Sequence, residues 1–569
     1  MVKLITTGIV CCLMWIACKT ATPPTPVTQR HLARLDSMAD VPQPLQIIDW
    51  YALARQFDST AYNFNTTGPH WPLVWWDSSR HNFDQPVVGL YTAMDDQRQG
   101  PLHNKGIFHE ALATMGATLG ATLVGIDKSR PPGLNYVAML KNYFNRETGW
   151  DIMMNNTCPE VAQLGGGYGR DWWYDVYPNV LFYGIYDHYP NTPGFDTLAH
   201  RIAEKFCAAD SVLNGNYDHS FFDYAHLQPK ENWICKQQDA AAGHAYVLYA
   251  AYKKFGDPRY LQHAVKALQT LEQQPHNTNY EVLMPFGAYM AARLNAEQGK
   301  QFNVQKFMEW TFNGNPECRL GWGVLVGNWN GIDISGIVGS TTDRGGYGFL
   351  MNTFDAAWPL VAMVRYDPSY AATVGKWMLN ASNAARFFYT QYMPDDHETI
   401  PGKAAITKGV IGYEGIIHTS SYPEYAHLKA PVAQGDGPQW AKGNPDVSQF
   451  SVYGSGHVGI FGSIIRTTSV PGILQLNLLA TDFFRDTAYP SFLYYNPYPE
   501  EKKVTVHTGD QPVDIYNTVT RQFIARKVKQ SYDLVLPARS PAVLVFTPAG
   551  GKERTVGNQL QVNGVTISY

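Results

Sequence analysis

From about residue 104 to residue 485 the chain alternates two kinds of helical segment, and this alternation limits the possible folds more than any other feature. One kind is rich in glycine and alanine: HEALATMGATLGATLVG (109–125), DAAAGHAYVLYAAYKKFG (239–256), NYEVLMPFGAYMAARLNAEQG (279–299) and GHVGIFGSIIRTTSV (456–470). GRDWWYDVYPNVLFYGIYDHYP (169–190) and FLMNTFDAAWPLVAMV (349–364) complete a set of six. The other kind repeats apolar residues at spacings of three and four: LNYVAMLKNYF (134–144), FDTLAHRIAEKFCAADSVL (195–213), PRYLQHAVKALQTLEQ (258–273), FNVQKFMEWTF (302–312), AATVGKWMLNASNAARFFY (371–389) and GILQLNLLATDFF (472–484). A helix touched on every side needs small residues, whereas a peripheral helix buries one face. The pattern predicts six helical hairpins in two concentric rings.

After about residue 490 the pattern changes. SFLYYNPYP, KKVTVHT, PVDIYNT, DLVLPA and AVLVFTP are short alternating runs, and Asn563-Gly564 in QLQVNGVTISY signals a hairpin turn. The predicted fold class is mainly α: an (α/α)6 toroid followed by a small C-terminal β-sandwich. The boundaries are a lipoprotein signal at 1–18, an extended tether at 19–45, an N-terminal segment packing on the toroid at 46–103, the toroid at 104–488 and the β domain at 489–569. Over 100–485 this arrangement resembles the six-hairpin glycosidase superfamily, in architecture rather than in a diagnostic motif. The resemblance implies a carbohydrate-active enzyme.

Composition narrows the partners. The 569 residues carry a formal charge of −4 and no basic footprint, which argues against nucleic acid. Lys3 and the apolar run LITTGIVCCLMWIA precede Cys18, and Pro and Thr follow it. The run is too short to span a membrane and reads as a signal, either a lipobox with Cys18 lipidated or an ordinary secretory leader. The lipid anchor is the expected membrane link, on the periplasmic face or at the outer membrane of a Gram-negative cell envelope. Cys158, Cys207, Cys235 and Cys318 are widely spaced, with no zinc motif and no chosen pairing. No metal and no cofactor is expected, since no phosphate-cradling or dinucleotide fingerprint occurs.

Loops entering the glycine- and alanine-rich helices are long (145–171, 214–238, 313–348, 390–455), so a site is expected at one mouth of the toroid. Glu414, in the apolar run GVIGYEGIIHT, is the expected general acid, because apolar neighbours raise a carboxyl pKa; its alternative is a loop anchor. Asp343 is the expected second carboxylate, with Glu231 and Glu281 in reserve. Glu281 and the pair His109-Glu110 open helices, where capping also accounts for them. Trp172 and Trp173 are expected in a loop at the mouth as sugar platforms, with Asp175 capping the helix behind them. Trp329, Arg344, Tyr347, Tyr413, His226 and His397 are further expected carbohydrate contacts. His397 stands in Asp395-Asp396-His397-Glu398, which also reads as a solvated turn, and Asp343-Arg344 also reads as an ion pair.

Three functions fit these features. A glycoside hydrolase acting on an envelope oligosaccharide uses paired carboxylates. A polysaccharide lyase would use Tyr224 as base and His226 as acid, but Asp171 stands where such a motif carries Asn, and a carboxylate there repels a uronate. A glycan-binding lipoprotein would need rings without paired acids. The anchor is tested directly: Cys18→Ala should release the protein from the membrane fraction, and unchanged fractionation excludes lipidation at Cys18.

Overall fold

The computed structural model describes residues 25–130 and 133–569; the signal and the cysteine at 18 lie outside the described residues. Eleven helical segments carry the architecture: α1 Trp50–Ala61, α2 Ala111–Leu123, α3 Trp172–His188, α4 Phe195–Leu213, α5 Ala240–Phe255, α6 Pro258–Glu272, α7 Met284–Gln298, α8 Val304–Phe312, α9 Leu350–Met363, α10 Ala371–Ala384, and a kinked pair, α11 Val452–Gly456 with α12 Gly459–Ile464. Helices α2, α3, α5, α7, α9 and α11–α12 each pack on the next, and α11–α12 return to α2, which closes an inner ring of six. Their residues are buried nearly all round, whereas α4 buries a stripe at Ala199, Ile202, Ala203, Phe206 and Leu213. That contrast is the one the composition predicted.

Two expectations are corrected. The segment 472–484 is not an outer helix. Leu474, Leu476 and Leu478 are buried while Gln475 and Asn477 are only half-buried, a period of two that belongs to a strand. The sixth outer position is filled instead by α1, which packs on α12 and α2. Its Trp50 is buried, with its ring edge-on to Phe354 of α9 and Phe461 of α12. The first outer member is also short, a turn of α-helix at Tyr136–Met139 continued as a 3₁₀ turn to Tyr143.

Strands serve two ends of the molecule. At the mouth, β1 Trp322–Val324, β2 Val338–Ser340, β3 Tyr347–Phe349, β4 Gly415–Ile417 and β5 Val432–Gln434 form one antiparallel sheet in the order β5-β4-β3-β2-β1. At the C-terminus a six-stranded antiparallel sheet runs β6 Ile465–Thr467, β7 Leu474–Asn477, β8 Ser491–Tyr495, then β11 Pro541–Pro548, β9 Lys502–Asn517 and β10 Gln522–Leu536. It begins at Ile465, ahead of residue 489. A three-stranded sheet (β12 Glu553–Val556, β13 Gln559–Val562, β14 Val565–Ser568) packs Val562 and Ile567 against Tyr516 and Val545 of the larger one. Asn563 and Gly564 join its last two strands with φ of 51° and 81°, a turn that needs two left-handed residues. Among the described residues no helix is long and apolar enough to cross a membrane.

The ring depends on α1. Trp50→Ala should therefore cost about 3–5 kcal/mol of unfolding free energy, the range for truncating a buried tryptophan, measured by denaturant titration; a loss under about 1 kcal/mol would place α1 outside the cooperative fold.

Candidate active site

The N-terminal ends of the inner helices converge on one mouth, and acids stand at or just before four of the six starts. Glu110 precedes α2, Asp171 precedes α3, Asp239 precedes α5, and Glu281 stands three residues before α7. The 390–455 loop adds Glu414 and Asp436. Together Glu110, Asp171, Glu281, Glu414 and Asp436 line a cavity of about 380 Å³, with Trp173, Trp440, Tyr174 and Tyr453 as ring walls and Arg98, Arg170 and Arg319 as cations. That volume lies within the range of small-molecule sites.

Glu414 is held from both sides of the chain. Its backbone N–H donates to Gln449 O at 3.1 Å, and its carbonyl accepts the N–H of Leu350, the first residue of α9, at 3.0 Å. Gly415 opposite Gln434 in the β4–β5 ladder brings Asp436 alongside. The Asp436 N–H donates to Oε2 of Glu414 at 2.8 Å, and the Tyr453 hydroxyl donates to Oε1 at 2.9 Å. A side chain at Gly415 would collide with the Tyr347 ring, so glycine lets that ring close over the acid. Glu414 is 3 % exposed. Burial first, and the Asp436 carboxylate second, push its pKa up to about 8, against the two hydrogen bonds. Asp436 is raised by burial too, while Arg344 and Arg319 oppose the rise. Burial and mutual repulsion thus raise Glu414, while the Arg344 and Arg319 charges restrain the rise at Asp436.

The facing acids differ. Burial pushes Glu281 up to about 7 despite Arg319 at 2.8 Å and the Asn352 amide at 3.0 Å. Burial likewise pushes Glu110 up to about 7, with Asn155 donating at 3.0 Å. Asp171 accepts from the Tyr280 hydroxyl at 2.8 Å and the Gln237 amide at 2.9 Å, which limits the rise that its burial causes. A disulfide between Cys235 and Cys318 ties the 214–238 loop to the 313–348 loop and fixes the start of Arg319. Cys158 and Cys207 are free and buried.

Of the residues expected from sequence, Glu414, Glu281 and Trp173 line this cavity. Trp172 does not. Helix α3 starts at Trp172 itself, with Asp171 rather than Asp175 in the capping position, so both tryptophans are helical. Trp172 is fully buried, stacked on Tyr217 with ring centroids 5.5 Å apart, and donates to the Tyr224 hydroxyl at 3.1 Å. Asp175 is buried in the first turn and accepts the Gly169 N–H at 3.0 Å. Asp343 is exposed, paired with Arg344 at 3.2 Å outside the cavity; Arg344 also reaches Ser421. Glu231 is at the surface with His219 and Ser220, and His226 is exposed beside Asp223. Trp329 packs edge-on to His418. His397 is buried 3.1 Å from the Pro431 carbonyl, and Tyr413 donates to Glu398 at 3.2 Å, so both serve the base of the 390–455 loop. Tyr347 is buried against the Glu414–Asp436 pair. Asp436, Arg98, Trp440 and Tyr453 were not singled out from sequence; the only signal was a second glycine-flanked acid, GDG at 435–437, in the same loop as GYEG.

No protein-family model and no curated protein matches the chain. Among solved structures, it is similar to a GH127 beta-L-arabinofuranosidase from Geobacillus stearothermophilus at 11 % identity and TM-score 0.37, covering 92 % of this chain and 85 % of the other. It is similar to an unsaturated glucuronyl hydrolase from Streptococcus agalactiae at 10 % identity and TM-score 0.27, covering 62 % and 77 %. It is also similar to an alpha-L-rhamnosidase from Dictyoglomus thermophilum at 10 % identity and TM-score 0.34, covering 81 % and 48 %.

The raised Glu414 pKa has a consequence for stability. Between the ordinary carboxyl value of 4.5 and about 8 the folded state holds a proton that the unfolded chain has lost, so this residue's contribution falls as pH rises through that window. Glu414→Gln, which cannot ionise, should gain stability relative to the parent from pH 5 to pH 8 in denaturant titrations. A difference that is flat with pH would show that Glu414 is ionised in the fold.

Proposed function

We propose that the protein is a glycoside hydrolase acting on an oligosaccharide, with Glu414 as general acid and Asp171 as the second carboxylate. The observation that supports this most is the setting of Glu414, a buried carboxyl hydrogen-bonded by Tyr453 and the Asp436 N–H in a cavity that gathers four other acids, where burial raises its pKa. Glycosidic cleavage needs one carboxyl that gives a proton to the leaving oxygen and another that activates water or attacks the sugar. Acid and base roles separate where neighbours push two carboxyls apart. Asp171, with donors from Tyr280 and Gln237, is the one held closer to its ordinary range. Glu281, locked to Arg319 and Asn352, orients and balances charge instead. Trp173 and Trp440, which line the cavity, would supply the apolar contacts to a sugar.

Nothing in the geometry favours elimination by Tyr224. Its hydroxyl is buried 2.7 Å from His244 Nε2 and behind Trp172, away from the cavity. The proposed location is the cell envelope, by the lipid anchor; a disulfide at the mouth is in keeping with an oxidising compartment.

Activity should be bell-shaped in pH: the limb above about 8 follows loss of the Glu414 proton, and the acidic limb follows protonation of Asp171. On a glycan panel with products weighed, Glu414→Gln and Asp171→Asn should each lower kcat by about 10² or more with substrate binding retained. Glu414→Gln should lose less on substrates with good leaving groups. Full turnover in either variant removes that residue from the mechanism, and products lacking the added water remove the hydrolase.

A further inference from the structure

We propose that His81, Cys158 and Glu160 form a binding site for one divalent transition-metal ion of the zinc class, separate from the carboxylate cavity. One ring nitrogen of His81, Sγ of Cys158 and a carboxylate oxygen of Glu160 all lie within 4.8 Å of one another. Zinc bonds of about 2.0–2.3 Å in a tetrahedron set ligand atoms about 3.3–3.8 Å apart, so side-chain rotation of about 1 Å completes the set. The three residues come from two segments. His81 stands on the loop between the paired strands Val74–Asp77 and Val87–Leu90, and Cys158 and Glu160 flank the start of the 3₁₀ turn Pro159–Val161.

The surroundings suit an ion rather than a plain packing contact. Cys158 is buried among Ile107, Phe108, Val161 and Leu164, which keeps the sulfur side dry. Glu160 is exposed and His81 half-exposed, which leaves an entry path and room for a water as fourth ligand. Glu147 lies 3.4 Å from Nδ1 of His81, a second carboxylate at the imidazole of the kind that orients metal-bound histidines. Thiolate with imidazole and carboxylate selects a borderline-soft ion over magnesium or calcium. None of the three residues lines the cavity, and none enters the disulfide. The segment that begins at Cys158 continues to Leu164, Gly165, Arg170 and Asp171, which do line it. A metal here would clamp that wall of the cavity to the His81 loop.

Cobalt(II) added to chelator-treated protein should produce thiolate-to-cobalt charge-transfer absorption that saturates near one equivalent and is displaced by zinc. Cys158→Ser should abolish the absorption and weaken zinc binding by about tenfold or more, while Cys207→Ser behaves as the parent. His81→Gln, at a half-exposed position that should not perturb folding, should weaken zinc to a similar degree. Zinc should raise the melting temperature of the parent but not of Cys158→Ser. Absence of the absorption in the parent with cobalt in excess, or its persistence in Cys158→Ser, overturns the site. The thiol then only donates to Glu160. Neither outcome bears on turnover by Glu414.

Discussion

The rest of the structure depends on how closely the first and last inner helices approach. A Cβ on Gly120 of α2 would sit on the carbonyl oxygen of Gly456, and one on Gly459 would sit on the backbone of Gly120. Backbone therefore meets backbone at the seam where the ring closes. His457, in the kink between α11 and α12, is buried there. Its Nδ1 lies 2.6 Å from Asp355 of α9, and its Nε2 lies 2.9 Å from the carbonyl of Leu112 of α2. Both contacts are to acceptors, an arrangement that favours a proton on each ring nitrogen. Asp355 and the Leu112 carbonyl raise its pKa against the burial that would lower it. One histidine thus ties three inner helices together, and the small residues around it pack closely against its ring.

That closure decides where chemistry can occur. Six helix N-termini aimed at one mouth favour anions, each by about 0.3–1 kcal/mol when exposed. This favours the acids at Glu110, Asp171 and Asp239, but it does not keep such acids in their ordinary pKa range. Burial is the larger effect, because Glu110, Glu281 and Glu414 are all raised towards or beyond neutrality despite the helix ends and nearby guanidinium groups. The same geometry that gathers the acids also desolvates them, and differences in hydrogen bonding then set how far each is raised.

Much of this was legible in the residues. Glycine and alanine in HEALATMGATLGATLVG require neighbours on all sides, so the inner ring follows from composition. The unequal loops located the mouth, and apolar neighbours marked Glu414. What failed did so for physical reasons. GILQLNLLATDFF satisfies both a helical and an alternating pattern, and only tertiary contacts choose: Leu474–Asn477 pairs as a strand, and the turns that follow are held by Asp482, which accepts from Tyr289 and Arg365, and by the Arg293 guanidinium, which donates to the carbonyls of Phe483 and Phe484. Trp172 and Trp173 are adjacent in sequence, and a helix sends adjacent side chains about 100° apart, so one enters the core while the other faces the cavity. A pair of aromatic residues cannot be assigned as a unit. Asp343 and Asp436 both sit in polar, glycine-rich loops. Only the β4–β5 register, which is not local, brings one of them to Glu414.

The division between scaffold and loop also explains why the acid is not on a helix. Glu110, Asp171 and Glu281 are attached to the rigid inner ring, where their positions are set by closure at Gly120 and Gly459. Glu414 sits at a bend just before β4; its carbonyl accepts from the first residue of α9 and its own N–H reaches Gln449. Its frame is therefore referenced to the ring, yet its partner Asp436 and wall Trp440 belong to the loop itself. In the proposed reaction, a sugar between ring-borne Asp171 and loop-borne Glu414 would meet one carboxylate fixed by the core and one fixed by local hydrogen bonds. Under that proposal, changes in the 390–455 loop would reshape the cavity without disturbing the helices on which the fold depends.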